Sequence, residues 1–368
     1  LRDQNLTTAT DSFNVAVGYN AGGDVTTGVR NILVGGLAGD AFTDADDNVG
    51  IGDEALSSDT LGSKSVAVGA NTLATQNFTT ATDTYNVAVG YNAGVLVTTG
   101  VSNTLVGGLA GDALTDADHN VAVGAFALSS DTKGSKSVAI GLNALELQNF
   151  TTATNAYNVA VGTNAGLSVT TGTQNTFVGA LAGDDTTTTS QNTAIGYNAM
   201  GEAASGGTNT AVGSNVLRLT TGFDNTAVGF NAAFTLTSGD NNLALGHDAL
   251  RSGSPGGNQT TGNNKIGLGD ENISSFNCQV ALTVASDQRD KTDFVDLDLG
   301  LDFVKALEPV TYYWDKRSKY GDKYADDYDL DAQTPDGTHK EDWMDIGFKA
   351  QAVRDLEEAS GYKASDKK

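Results

Sequence analysis

A short pattern recurs along most of the chain at a nearly constant interval, and this repeat limits the folds that the chain can adopt. NVAVGYNAG begins at Asn14 and again at Asn86, 72 residues later, and NVAVGTNAG begins at Asn158. Within each block a looser version recurs about every 17 residues, with one longer step of 21 residues. Repeats of this length are typical of solenoids, in which each copy forms one coil. The fifteen copies begin at Asn14, Asn31, Asn48, Ser65, Asn86, Asn103, Asn120, Ser137, Asn158, Asn175, Asn192, Asn209, Asn225, Asn242 and Lys265.

Each copy contains one very short strand. In Val15-Ala16-Val17 the alternation puts the two valines on one face and the alanine on the other. Gly18 follows at a point where the chain must turn without a Cβ atom, and the later copies repeat this glycine. We therefore predict a mainly β fold: a repetitive parallel β-solenoid, or β-roll, of about fifteen modules of about 17 residues. The repeated asparagines should stack as a ladder at one corner.

The composition excludes several classes of protein. With 21 basic and 45 acidic residues the formal net charge is −24, so we expect no nucleic-acid partner, because phosphate contacts need a basic surface. The single cysteine, Cys278, cannot form an intrachain disulfide, and the three histidines show no metal-ligand spacing; we expect neither metal nor cofactor. No apolar run is long enough to span a bilayer, so no membrane insertion is expected. We interpret the chain, which starts LRDQN, as a fragment of a longer protein.

The sequence changes character near residue 285. Residues 1–285 contain 8 basic and 24 acidic residues and are rich in Gly, Ala, Val, Thr and Asn. The remainder contains 13 basic and 21 acidic residues and both tryptophans. We therefore predict two domains, a β-solenoid shaft over residues 1–281 and a small α+β domain over residues 282–368.

The smaller domain is expected to contain two helices. Apolar residues have helical spacing over residues 301–307 and again over residues 350–357. Residues 322–342 are acidic, tyrosine-rich and aperiodic, which predicts a loop. We expect Trp314 and Trp343 to be buried anchors of the domain core.

The repeats resemble the heads of trimeric autotransporter adhesins and the repeats of many phage tail fibres, where N-x-A-[VI]-G-x-x-A units wind a parallel β-roll. The resemblance covers roughly residues 12–275 and implies a homotrimer. We expect the small side chains of the strands to face outward, so that three chains can approach closely. The alanines concerned are Ala16, Ala88, Ala122, Ala139 and Ala160.

Three motifs beyond residue 285 resemble the S74 peptidase family, the intramolecular chaperone domain of phage tailspikes and tail fibres that also occurs on endosialidases. SDQRDK at 286–291 resembles the S-D-x-R-x-K start of that family. GLDFVKALEPVTYYW at 300–314 is similar to its G-L-D-x-I-x-x-L-x-P-V-x-Y-x-W element. DIGFKAQAV at 345–353 is similar to its I-G-F-x-A-Q-x-V helix start. The resemblance implies a domain that directs trimeric folding of the chain before it.

The family resemblance also implies self-cleavage between Ala285 and Ser286. The Ser286 hydroxyl would attack the carbonyl of Ala285 in an N-to-O acyl shift, and water would hydrolyse the ester. Lys291 would be the general base, which requires a buried, neutral amine. Asp287 would oppose this neutral state, and Arg289 would offset it by pairing with a carboxylate. The alternative is that Ser286 and Lys291 only cap a loop or helix, so the enzyme activity is at most that of a self-cleaving serine endopeptidase without an external substrate.

Polar clusters in the repeats have alternative interpretations. The aspartates at 44–47 and 112–118 provide oxygen ligands for calcium, but they lack EF-hand spacing and are expected to be solvated loops. Threonine pairs such as Thr26-Thr27 suggest an ice-binding array, although they skip most modules. His119 and His247 are expected in exposed loops rather than as ligands.

These observations favour a structural and host-recognition protein, the distal part of a bacteriophage tail fibre that is located on the virion, outside the cell. The expected partners are two further copies of the chain, upstream tail or baseplate proteins, and a glycan or protein receptor on the host surface. One alternative is the head of a bacterial trimeric surface adhesin, which carries the same kind of repeat. A polysaccharide-degrading tailspike is a third, less favoured because no catalytic domain precedes the repeats.

Overall fold

The structure is a computed structural model that describes residues 1–202, 206–254, 256–277, 301–321 and 332–360. The chain forms two compact units, Leu1–Ser274 and Ser275–Lys368. The predicted boundary between residues 281 and 282 stays a prediction, because residues 278–300 lie outside the described part of the chain.

The first unit is the parallel β-solenoid that the repeat predicts. One strand from each of the fifteen copies joins a single sheet in chain order. Neighbouring strands pair in parallel register, as Val15 does with Ile32 and Val17 with Val34. The strands are Val15–Val17, Ile32–Val34, Val49–Ile51, Val66–Val68, Val87–Val89, Thr104–Val106, Val121–Val123, Val138–Ile140, Val159–Val161, Thr176–Val178, Thr193–Ile195, Thr210–Val212, Thr226–Val228, Leu243–Leu245 and Ile266–Leu268.

The two long steps add a second, shorter pairing at another corner of the coil. Gly62–Ser63 pairs in parallel with Thr82–Asp83, and Gly134–Ser135 pairs with Thr154–Asn155. The second pair repeats the first 72 residues later. The extra residues of the 21-residue step therefore form ordered structure rather than an unpaired insertion.

The glycine after each strand is required both by its backbone angle and by its neighbour. Gly107 has a φ of 142°, and a Cβ atom there would lie 2.4 Å from the carbonyl oxygen of Gly124 in the next coil. Gly35 has a φ of 143° and the same relation to Gly52, at 2.1 Å. Side chains rarely adopt this φ, and the next coil leaves no space for one. The predicted role of these glycines is confirmed.

The orientation predicted for the strand alanines is wrong, because the central residue of each strand points into the coil and the flanking pair points outward. In Val87–Val89 the central Ala88 is fully buried, whereas Val89 is 36% exposed. A three-residue strand turns either one or two side chains inward, and the narrow coil accommodates one. The correction applies to Ala16, which packs against the core, and to the fully buried Ala88, Ala122, Ala139 and Ala160.

Core volume is balanced between two inward-facing positions. Where the central strand residue is large, as at Leu105, the sixth residue after it is Gly111, and a Cβ there would lie 2.8 Å from the leucine side chain. Gly94 in the preceding coil also faces Leu105, at 2.6 Å. Where the central residue is Ala122, the sixth residue after it is Leu128, which is fully buried. The variation between copies therefore follows from close packing.

A buried asparagine at the start of nearly every coil forms the predicted ladder, with most of its bonds directed to backbone groups. The side-chain amide of Asn103 donates to the carbonyl oxygen of Ala117 in its own coil at 2.8 Å. Its amide oxygen accepts the backbone N–H of Asn120 in the next coil at 3.0 Å. One fully buried side chain thus closes its own coil and links it to the next.

The second unit contains two helices and a two-stranded sheet. Helix α1, Leu301–Ala306, and helix α2, Ala350–Ala359, lie where the apolar spacing predicts them. Strands Pro309–Tyr313 and Met344–Phe348 pair antiparallel, and a 3-10 turn covers Arg317–Lys319. No helix in the described part of the chain has the length and hydropathy needed to cross a membrane.

The two tryptophans are not buried in the single chain, contrary to the prediction. Trp314 is 42% exposed and Trp343 is 52% exposed. Trp314 contacts the edge of the Tyr312 ring, and its indole N–H donates to Asp345 at 3.4 Å. A sheet of only two strands has too little surface to enclose side chains of this size, which explains their exposure.

We expect Gly107→Ala to destabilise the solenoid and the matched change Gly108→Ala to leave it nearly unchanged. The first places a Cβ at positive φ against a backbone carbonyl, whereas a Cβ at Gly108 meets no atom within 4 Å. The free energy of unfolding should fall by about 2–4 kcal/mol for Gly107→Ala and change by less than about 1 kcal/mol for Gly108→Ala. Denaturant unfolding followed by circular dichroism measures both, and equal effects would contradict the close approach of the coils.

We also expect Asn103→Ala to cost about 2–4 kcal/mol, because it leaves a buried carbonyl and a buried N–H without partners. The control is Asn149→Ala. Asn149 is exposed, and its only recorded partner, the Thr132 hydroxyl, keeps its bond to the carbonyl oxygen of Phe150. The same denaturation experiment should show little change for the control. A small effect of Asn103→Ala would mean that the ladder is not a main source of stability.

Candidate functional site

The predicted cleavage site lies outside the described residues. This applies to both sides of the scissile bond, Ala285 and Ser286, to the proposed base Lys291, and to the supporting residues Asp287 and Arg289. Their predicted roles stay predictions. The described surfaces on either side of this segment therefore carry the structural argument about function.

The two-stranded sheet of the second unit exposes an apolar face. Pro309, Thr311 and Tyr313 lie opposite Phe348, Ile346 and Met344 in the antiparallel register, and all six are exposed. Ile346 is 73% exposed. The residues between them, such as Val310 and Tyr312, are half-buried on the other face. A hairpin with this pattern is incompletely buried as a single chain.

The helices of the same unit border an open cavity of about 380 Å³. The cavity is lined by Leu307 after helix α1 and by the apolar side of helix α2, including Ala352, Val353 and Leu356. No residue of helix α2 is fully buried. Both the sheet and the helices of this unit thus present apolar surface that the single chain does not cover.

The solenoid also presents an uninterrupted apolar face. The first and third residues of all fifteen strands point outward, and each is Val, Ile, Leu or Thr; the third is never Thr. Val17, at one end, is 58% exposed. At the usual spacing of about 4.8 Å between strands, this outward face is about 70 Å long. A continuous surface of this kind without a charged group is typical of an interaction site.

Charged and aromatic side chains border the outward face where the strands begin. The Lys64 ammonium lies 5.4 Å from the ring centroid of Tyr85, and the Lys136 ammonium lies 5.4 Å from that of Tyr157. Lys64 also forms an ion pair with Asp83. A polar border around an apolar centre is the usual arrangement of a protein interface.

The aspartates that suggested calcium binding have structural partners. Asp46 accepts the backbone N–H of Val29 at 2.8 Å, and Asp118 accepts that of Val101 at 2.8 Å, each from the preceding coil. Asp47 pairs with an arginine on the neighbouring coil. Among the described residues, no group of three His, Cys, Asp or Glu side chains is arranged to hold a metal ion.

Threonines form a second ladder that the paired threonines alone did not reveal. The Thr26 hydroxyl donates to the carbonyl oxygen of Thr43 at 3.0 Å, and the Thr43 hydroxyl donates to that of Thr60 at 3.2 Å. Thr98 and Thr115 repeat the arrangement. Because these hydroxyls are used between coils, they do not form the free array that ice binding requires.

The two histidines of the solenoid lie in exposed turns, as expected. His119 is exposed at a positive φ just before a strand. His247 stacks on Phe230 with ring centroids 5.6 Å apart, and its Nδ1 lies 3.3 Å from a carboxylate oxygen of Asp270. Both histidines therefore belong to the surface of the coils.

Comparison with known families identifies the C-terminal part. Residues 286–362 match the family model Peptidase_S74, described as chaperone of endosialidase. The match begins at Ser286 and includes both helices and both strands of the second unit. The resemblance inferred from the three motifs is confirmed, and the solenoid with this segment fits a tail fibre with a C-terminal chaperone domain. No curated protein and no solved structure matches the chain.

Proposed function

We propose that this chain is the distal, host-recognising part of a bacteriophage tail fibre. Its solenoid forms a homotrimeric shaft, and its C-terminal domain directs the folding of the trimer and is then released by autoproteolysis between Ala285 and Ser286. The observation that carries the proposal is the order of the two parts. A solenoid through Ser274 is followed by a segment that matches the endosialidase chaperone from Ser286 onward.

The topology of the solenoid explains why a folding domain is useful. All fifteen strands of the main sheet pair in parallel with strands from other coils, and the outward face stays uncovered in a single chain. Chains of this kind fold slowly and aggregate through exposed strands. A domain that first aligns three chains avoids this problem. Its removal afterwards prevents unfolding from retracing the folding path, so the shaft becomes kinetically stable.

The outward face is the proposed contact between the three chains. Its length of about 70 Å and its width of about 7 Å give an area on the order of 500 Å² per chain. Patches of this size are commonly functional. The contact differs from the one expected from the sequence, since valines and isoleucines rather than alanines would meet at the axis, with pairs such as Lys64 and Asp83 at the border.

The remaining partners follow from the same proposal. Upstream tail or baseplate proteins would hold the shaft on the virion, and its free surface would contact a glycan or protein receptor of the host cell. The adhesin head remains the alternative, because the solenoid itself is shared by both classes. Release of the C-terminal domain separates the two, since a mature fibre loses it.

We expect the wild-type chain to be cleaved before Ser286, and Ser286→Ala and Lys291→Ala to stay intact. The first change removes the nucleophile and the second removes the base. Intact mass spectrometry of freshly expressed protein measures this directly. Ser275→Ala, which changes a serine in the preceding segment, serves as the control and should still be cleaved. An uncleaved 37.7 kDa wild-type species would favour the adhesin alternative.

We expect the double change Val89→Glu and Ile140→Glu to convert a trimer into a monomer. Both residues are exposed on the outward face, and each would bury a charge between the chains. The control is Leu96→Glu with Leu147→Glu, which adds the same charges to exposed leucines outside the strands of the same two coils. Light scattering should show a trimer for the control and a monomer for the first variant. A monomeric wild type would contradict the proposed contact.

A further inference from the structure

Each of the first two 72-residue blocks buries one carboxylate inside the solenoid. Asp59 and Asp131 are equivalent residues in the two blocks, and both are fully buried. Each precedes a coil that begins with serine instead of asparagine, at Ser65 and Ser137. The long steps therefore contain a polar centre that the other coils lack.

Both carboxylates accept three hydrogen bonds. Oδ1 of Asp59 accepts the backbone N–H groups of Gly62 and Phe78 at 3.0 and 3.1 Å, and its Oδ2 accepts the side-chain amide of Gln76 at 2.6 Å. The matching donors to Asp131 are Gly134, Phe150 and Gln148, at 3.0, 3.0 and 2.6 Å. We call each aspartate with its glutamine and serine an acid box.

The acid box replaces the asparagine ladder where serine is too short to close the coil. The side-chain amide of Gln76 also donates to the Ser65 hydroxyl at 3.0 Å, and its carbonyl oxygen accepts the amide of Asn86 at 2.9 Å. In the second box Gln148 has the same bonds to Ser137 and Asn158, at 3.1 and 2.8 Å. The carboxylate is thus the acceptor that completes a buried network.

No positive charge faces either carboxylate among the described residues. The side-chain groups around Asp59 are uncharged, and the ion pairs of the surrounding coils, Lys64 with Asp83 and Lys133 with Asp116, use other carboxylates. Burial without a counter-charge raises the pKa of both Asp59 and Asp131, although hydrogen bonds from Gln76 and Gln148 oppose the shift.

We propose that the two acid boxes make the shaft acid-stabilised, so that the folded solenoid binds one proton at Asp59 and one at Asp131 more tightly than the unfolded chain does. The proton comes from solvent and binds to Oδ2 of the aspartate. Half a turn of the Gln76 side-chain amide then presents its oxygen to this O–H. Asn86 loses one acceptor but keeps its bond to the carbonyl oxygen of Gly100 at 2.8 Å.

The direction of the pH dependence follows from proton linkage. A carboxyl whose pKa is higher in the folded than in the unfolded chain binds more protons in the folded state between the two pKa values. The free energy of unfolding therefore increases as the pH falls through the folded pKa, and it levels off below the unfolded pKa of about 4. Within this window each box changes the folding equilibrium constant by up to about tenfold per pH unit.

A second set of carboxylates acts in the same direction. Asp40, Asp112 and Asp184 occupy equivalent positions in three successive blocks, and burial raises the pKa of each. Burial and the neighbouring Asp185 raise the pKa of Asp184 to about 6. These residues stay unchanged in the test below, so their contribution cancels when variants are compared.

The test compares the thermal midpoint of the full chain from about pH 7.5 to about pH 4.5 in three proteins. They are the wild type, the box variant Asp59→Asn with Asp131→Asn, and the control Asp44→Asn with Asp116→Asn. The control removes two negative charges from the same two blocks at exposed positions. It corrects for the general relief of charge repulsion on acidification.

We expect the midpoints of wild type and control to rise in parallel as the pH falls, and the midpoint of the box variant to rise less steeply. Because the double variant can fail to fold, Asp131→Asn alone is the second test; it keeps one box and should lose about half as much of the slope. Slopes in either box variant equal to those of wild type and control would overturn the proposal. The proposal does not depend on cleavage or trimer formation.

Discussion

The distance between successive coils is set by the contact of one glycine with the carbonyl group of the next. A Cβ at Gly107 would lie 2.4 Å from the Gly124 oxygen, so the corner admits no side chain. At this spacing the parallel strands pair, the asparagine side chains reach both their own and the next coil, and the threonine hydroxyls reach the next carbonyl. The ladders depend on the corner, because a wider corner would break all of them together.

The narrow coil has a consequence for function. With one side chain per strand pointing inward, two remain outside, and in this chain they are apolar along the whole sheet. The second unit likewise leaves the apolar face of its two-stranded sheet uncovered. Both units therefore have the surface of proteins that associate. A folding domain that brings copies together before the long sheet forms is consistent with this requirement.

Much of the fold could be predicted from the sequence, and the errors have a common cause. The period, the position of the short strands, the role of glycines such as Gly18, both helices and the S74 resemblance followed from local patterns. Alternation identifies two faces of a strand but does not say which one is buried, so the alanines were assigned to the wrong side. The tryptophans were misjudged for the same reason, since size favours burial only where other elements provide a cover.

The polar interior of the long steps is a further case. Asp59, Ser65 and Gln76 lie within 18 residues of one another, but nothing in their spacing indicates a shared network, because their contacts run between coils. A signal was present, since serine replaces asparagine at the corner in both long steps and the same aspartate and glutamine accompany it.

The sequence alone determined that the chain is a repetitive parallel solenoid followed by a chaperone-type domain, because period, turn residues and motifs are local properties of the chain. The tertiary structure decided which face is buried, which hydroxyls and amides join the coils, and that two carboxylates lie inside without a counter-charge. Those properties depend on residues about 17 positions apart meeting across the stack, and only the geometry of the coil brings them together.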